Sequence, residues 1–195
     1  TGNFAGPYIG IQTSAIGVEL DSKYIEAGSG ESNTTTGTVG KTAVIAGAEL
    51  GYAFPLGDSL LLDIGATFVE GDAKLKYNTT DAGAGNSDVT FEVTDQYTYY
   101  IAPTVALSET SSAYFKYGTV DSDVTIVGDV TKITELSGEV YALGTRTVLG
   151  NGLYIRSEAG IQEYDKLSTT GLGTTVPTTT TVTADPTIAY GAISV

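Results

Sequence analysis

Glu49, Asp63 and Glu158, with Lys116, Arg146 and Arg156, are the residues from which this chain would build a site. All six alternate with apolar positions of their own segments, so they share one face. Three acids facing three bases can do three things. They can pair into a hydrogen-bonded network that fills and rigidifies an interior, since unpaired charges there are costly. They can form a gate that passes small solutes or ions when it rearranges. Two of the carboxylates could act as a general acid and base. The network is the expected role, the gate its alternative, and no catalytic residue is assigned. The chain has no His and no Cys, which removes the usual general base, the commonest metal ligand and any Ser-His or Cys-His nucleophile pair. No cofactor or metal site is therefore expected, and no enzymatic activity. A net charge of −14 with nine Lys and Arg excludes nucleic acid, whose phosphates need clustered bases.

The elements that must position these charges are strands. In the stretch 42–68, Val44, Ala46, Ala48, Leu50, Tyr52 and Phe54 occupy even positions, and after a turn at Gly57-Asp58 so do Leu60, Leu62, Ile64, Ala66 and Phe68. Gly47, Glu49, Gly51, Asp63, Gly65 and Thr67 stand between them. A two-residue period makes this a hairpin. Its arms of about ten residues are twice the usual soluble strand and close to what a tilted strand needs to cross a bilayer. The apolar face then reads as lipid contact and the small, charged face as a lumen. No run approaches the ~20 apolar residues of a membrane helix, so a membrane role requires a barrel.

The same period recurs along the 195 residues, which make a single domain. Residues 5–19 set Ile9, Ile11, Thr13 and Ala15 against Tyr8, Gly10, Gln12 and Ser14. Residues 89–107 put Phe91, Val93, Tyr97, Tyr99, Ile101, Val105 and Leu107 on one face, with a bulge expected near Pro103. Residues 113–118, 133–149, 153–164 and 187–195 complete eight strands. Short turns near Gly57, Thr110 and Asn151 alternate with four long polar loops over 21–38, 78–88, 121–131 and 168–185. That asymmetry suits an antiparallel up-and-down transmembrane barrel with short periplasmic turns and long outer loops. A soluble β-sandwich binding module is the alternative fold, and strand length argues against it.

Phe4-Ala5-Gly6-Pro7-Tyr8-Ile9-Gly10 resembles the aromatic-glycine opening strand of small outer-membrane β-barrel proteins, the opacity-protein and OmpA-like group of Gram-negative bacteria. Ile188-Ala189-Tyr190-Gly191-Ala192-Ile193-Ser194-Val195 is similar to their last strand. The resemblance implies a barrel in the bacterial outer membrane. Val195 departs from the aromatic residue with which such proteins usually end. Lipid-modifying barrels of this size rely on His with Ser, a pair absent here. Thr1 is not Met, and the chain reads as a mature product whose export signal has been removed.

The remaining expectations concern surfaces. Asp21, Glu26, Glu31, Asp72, Asp81, Asp88, Asp121, Asp123, Asp129, Asp165 and Asp185 fall in the outer loops and rims, where they resist aggregation. They could also hold divalent cations that bridge to lipopolysaccharide phosphates, with Asp121-Ser122-Asp123 a weak calcium signal. Tyr8, Tyr52, Phe54, Tyr97, Tyr99, Phe115, Tyr117, Tyr141, Tyr154 and Tyr190 are expected in interfacial girdles. The Thr-rich tract 174–183 is expected to be a flexible loop. Membrane lipid, lipopolysaccharide and surface or self-assembly partners follow, with a structural and adhesion-type role ahead of a narrow channel.

Overall fold

In a computed structural model, which describes residues 2–28, 31–71, 73–79, 87–128, 130–173 and 180–195, ten antiparallel segments form one sheet. They are β1 (Gly6–Gly28), β2 (Glu31–Pro55), β3 (Leu60–Glu70), β4 (Ala73–Thr79), β5 (Ser87–Ala106), β6 (Ser111–Val127), β7 (Glu135–Val148), β8 (Tyr154–Tyr164), β9 (Leu167–Thr170) and β10 (Thr180–Ser194). β3 and β4 both pair with β5, and β8 and β9 both pair with β10, so each couple is one interrupted strand of the wall. β10 then pairs with β1 and closes an eight-stranded barrel. Among the described residues no helix is long and apolar enough to cross a membrane. The strands make the crossing.

One hydrogen-bonded row fixes the dimensions. From Glu19 it runs through Thr187, Glu163, Glu139, Thr119, Tyr99, Ala66 and Leu50 and returns to β1 at Ile9, ten residues below its start. Eight strands with that stagger tilt by about 40° and enclose a radius of about 8 Å, enough for side chains to fill. Each residue then rises by about 2.5 Å along the axis.

The outer face is apolar over a defined height. Ile9 and Ile11 on β1, Leu50 on β2, Ile64 on β3, Ile101 on β5 and Leu143 on β7 are all exposed. Going up, the outward positions turn acidic at Glu19, Glu70, Asp121, Glu139 and Glu163, all exposed. Nine or so residues of apolar wall below that collar span on the order of 25 Å, the band height of an outer-membrane barrel. From about the level of the collar upward the two faces exchange roles. Ile16, Val18, Leu20, Val120, Val124, Ile126 and Leu136 point inward into one apolar core, while Asp21, Asp123, Glu135 and Asp165 point to solvent. The barrel is inside-out in the membrane and right-side-out beyond it.

The polar segment 21–38 is not a loop: β1 and β2 stay paired up to Gly28 opposite Glu31. β6 likewise carries 121–127, and β9 and β10 take up 167–170 and 180–185. The flexible-loop reading of 174–183 therefore fails for Thr180–Thr183, and 174–179 lie outside the described residues. So do Ser29, Gly30, Asp72, Gly83, Gly85, Asp81 and Asp129. Asp121, Ser122 and Asp123 alternate along a strand, with Ser122 turned inward, so they cannot close a calcium loop. Asp121 accepts a hydrogen bond from Ser137 instead.

The bulge is at Asp95, not Pro103. The register between β5 and β6 slips between Thr94 and Gln96, and Asp95 has φ +30°. Phe91 and Val93 consequently point inward while Tyr97, Tyr99 and Ile101 point outward. A left-handed conformation at a non-glycine residue costs about 1–2 kcal/mol. Asp95→Gly should therefore hold or raise stability by up to about 1 kcal/mol in urea unfolding of the detergent-folded barrel, whereas Asp95→Val should lower it.

Candidate functional site

All six charged residues predicted to share a face line the lower lumen: five are buried, and Glu158 is half-buried with its carboxylate side chain 5% exposed. The alternation puts them there: Leu50, Ile64 and Ile155 point out on the strands that carry Glu49, Asp63 and Arg156 in. Arg156, 2% exposed, is the hub. Its Nε donates to the Tyr114 hydroxyl at 2.7 Å and one terminal nitrogen donates to the Tyr100 hydroxyl at 3.0 Å. The same nitrogen lies 3.5 Å from Glu49, and the other lies 3.9 Å from Glu158. Its guanidinium stacks 4.1 Å from the Tyr114 ring centroid. Glu158 accepts from Lys116 at 2.7 Å, Tyr114 at 2.7 Å and Tyr190 at 2.6 Å. Glu49 accepts from Tyr154 at 2.8 Å. Glu158 thus holds three of the roughly four hydrogen bonds a carboxylate can accept, which offsets its desolvation, whereas Glu49 leans on Tyr154 and the Arg156 guanidinium.

The third pair is looser. Arg146 Nη2 lies 3.3 Å from Asp63 Oδ2, yet Arg146 Nη2 and Asp63 Oδ1 both lack hydrogen-bond partners. Arg146 is steadied by rings instead, with Tyr8 and Phe4 centroids 5.2 and 5.6 Å from its guanidinium. Phe4 is buried beneath Tyr8, Leu61 and Tyr154, and Asn3 donates across the barrel mouth to the Glu109 carbonyl at 2.9 Å. The segment before β1 therefore closes the mouth on the short-turn side.

Sequence reasoning missed the tyrosines of this lumen. Tyr8, Tyr154 and Tyr190 were expected in the outer girdles, but their side chains point inward; the lumen also holds Tyr100 and Tyr114. The signal was in the glycines. Tyr8 stands directly across from Gly51, Tyr100 from Gly65, Tyr114 from Gly144 and Tyr190 from Gly160. At each of these glycines an added Cβ would strike the facing tyrosine or the wall behind it. A ring lying over a bare backbone fills a narrow lumen where two side chains could not. Tyr52, Phe54, Tyr97, Tyr99, Phe115 and Tyr117 do face outward.

Among the described residues no group of three His, Asp or Glu side chains is placed to hold a metal ion. The arrangement can exclude solvent, fix the registers of its strands and store charge in a low dielectric. It presents no free nucleophile beside a base.

A closed eight-stranded wall, an apolar belt of bilayer height and an ion-paired interior define an outer-membrane β-barrel. The chain resembles the outer membrane protein OprG of Pseudomonas aeruginosa, with a TM-score of 0.55, 13% identity, and coverage of 97% of this chain and 95% of that one. It also resembles Ail, the attachment invasion locus protein of Yersinia pestis, solved in complex with the heparin analogue sucrose octasulfate, with a TM-score of 0.38, 14% identity, and coverage of 95% and 97%. No protein-family model matches the chain, and no curated protein matches it.

Proposed function

We propose that this protein is a structural and surface-interaction barrel of the bacterial outer membrane, with a closed lumen and an acidic extracellular wall that meets its partners. The observation that carries this reading is the filling of the lumen at successive levels. Phe4 covers the lower mouth, the Arg156 network fills the membrane section, and the apolar core fills the section above. Water and ions need a continuous polar path, and an apolar plug interrupts it. The projecting wall, with Asp21, Asp123, Glu135, Asp165 and Asp185 exposed, repels polyanions and attracts cationic polypeptides. At headgroup level the acidic collar meets lipopolysaccharide phosphates only through divalent cations.

In planar bilayers the wild-type protein is expected to give no stepwise conductance. On immobilised ligands it should retain a cationic polypeptide in a salt-sensitive manner and pass a sulfated polysaccharide. Retention of the polyanion would overturn the surface reading. A narrow channel has one observation in its favour, the misaligned Asp63–Arg146 pair, whose partners are free to re-pair. Steady conductance in the wild type, altered by Arg146→Ala or Glu49→Ala, would establish that reading instead.

A further inference from the structure

One layer of the lumen is used neither by the ion network nor by the apolar core. Gln12, Ser14, Thr67, Gln96, Thr98 and Gln162 line it, all of them buried. Lys116 and Glu158, paired at 2.7 Å, close it from below. Ile16, Ile45 and Val69 close it from above. The space left between them is ≈ 20 Å³, measured as room for the centre of a water molecule. Thr67 lines this space, is 5% exposed and has no partner for its hydroxyl.

We propose that this cavity is a binding site for a single water molecule, held on Thr67 Oγ1. A buried hydroxyl without a partner is unfavourable, and a bound water satisfies it from a site rich in amides and hydroxyls. Size selects the ligand: about 10–15 Å³ of such room holds one water, so the cavity takes one and not a hydrated ion. Charge agrees, because the nearest cation and anion already neutralise each other. The site does not depend on what the extracellular wall binds.

The test is water-to-protein cross-relaxation in the full chain folded into lipid nanodiscs, read at the Ile45 and Val69 methyl groups. Both look onto the cavity and neither carries an exchangeable proton. The wild type and Thr67→Ser should show cross-peaks to water with the sign of a long-resident molecule, and Thr67→Val should lose them. Absence of the cross-peaks in the wild type overturns the proposal, as does their persistence in a folded Thr67→Val barrel. Should Thr67→Val fail to fold, the wild type and Thr67→Ser decide: peaks in both support the site, and peaks in neither remove it.

Discussion

Arg156→Ala should destabilise the folded barrel by about 3–5 kcal/mol, the cost of breaking a buried ion network from one side. The substitution strands Glu49, 4% exposed, with only the Tyr154 hydroxyl as donor. It also takes the donor from Tyr100 and the cation from the face of Tyr114. Glu158 should suffer less, because Lys116, Tyr114 and Tyr190 remain. A second variant separates charge from packing. Arg156→Met with Glu49→Gln removes the ion and its stranded partner together, and should recover more than half of the loss. Urea unfolding of the detergent-folded protein, followed by the gel shift between folded and unfolded forms, measures both. Equal losses for the single and double variants would show that volume at this position, and not charge, holds the lumen.

Ile101→Arg should cost about 2–4 kcal/mol, the penalty for an arginine on the lipid face near the bilayer midplane. Ile101 is 46% exposed, so in a soluble protein the same change would be close to neutral. Its register partners Ile64 and Tyr117 are also exposed, and neither offers a carboxylate to receive the charge. Thr125→Arg is the matched control: the position is just as outward, but it lies on β6 above the acidic collar. It should change stability by less than about 0.5 kcal/mol. Refolding yield in lipid vesicles and urea midpoints give the comparison. A similar cost at both sites would remove the distinction between belt and projecting wall.

That distinction explains what could be read from the sequence and what could not. Within the membrane the two-residue period is unbroken, so the hairpin of β2 and β3, both faces of β8 and all six lumen charges follow from alternation alone. Above the membrane the phase of the same pattern reverses. On β6, Phe115 and Tyr117 face out with Lys116 between them, and seven residues after Tyr117, Val124 and then Ile126 face in with Asp123 and Thr125 out. A reversal of phase within one strand looks like the end of the pattern, so 121–131 read as a loop. β5 misleads in the opposite way. The extra residue at Asp95 reverses the geometry where the sequence does not, and Phe91 and Val93 seem to continue the lipid face of Tyr97 while packing in the core. Composition added to the error, because Thr, Asn and Gly suggest loops whereas Thr is also a good strand former. The tyrosines were misplaced for a third reason: whether an aromatic residue belongs to a girdle or a lumen depends on the glycine across from it, which only the register reveals.

The absence of cysteine allows a direct test of where the membrane begins and ends, since every introduced thiol is the only one in the chain. Single cysteines at Leu50, Ile101 and Leu143, within the belt, and at Asp123, Glu135 and Ser168, above the collar, should be compared in vesicle-inserted protein with a membrane-impermeant maleimide. The first three are expected to stay unlabelled until detergent is added, and the last three to react at once. Labelling of Leu50→Cys, Ile101→Cys and Leu143→Cys as fast as Asp123→Cys would contradict a lipid-facing belt and, with it, the barrel's inside-out construction.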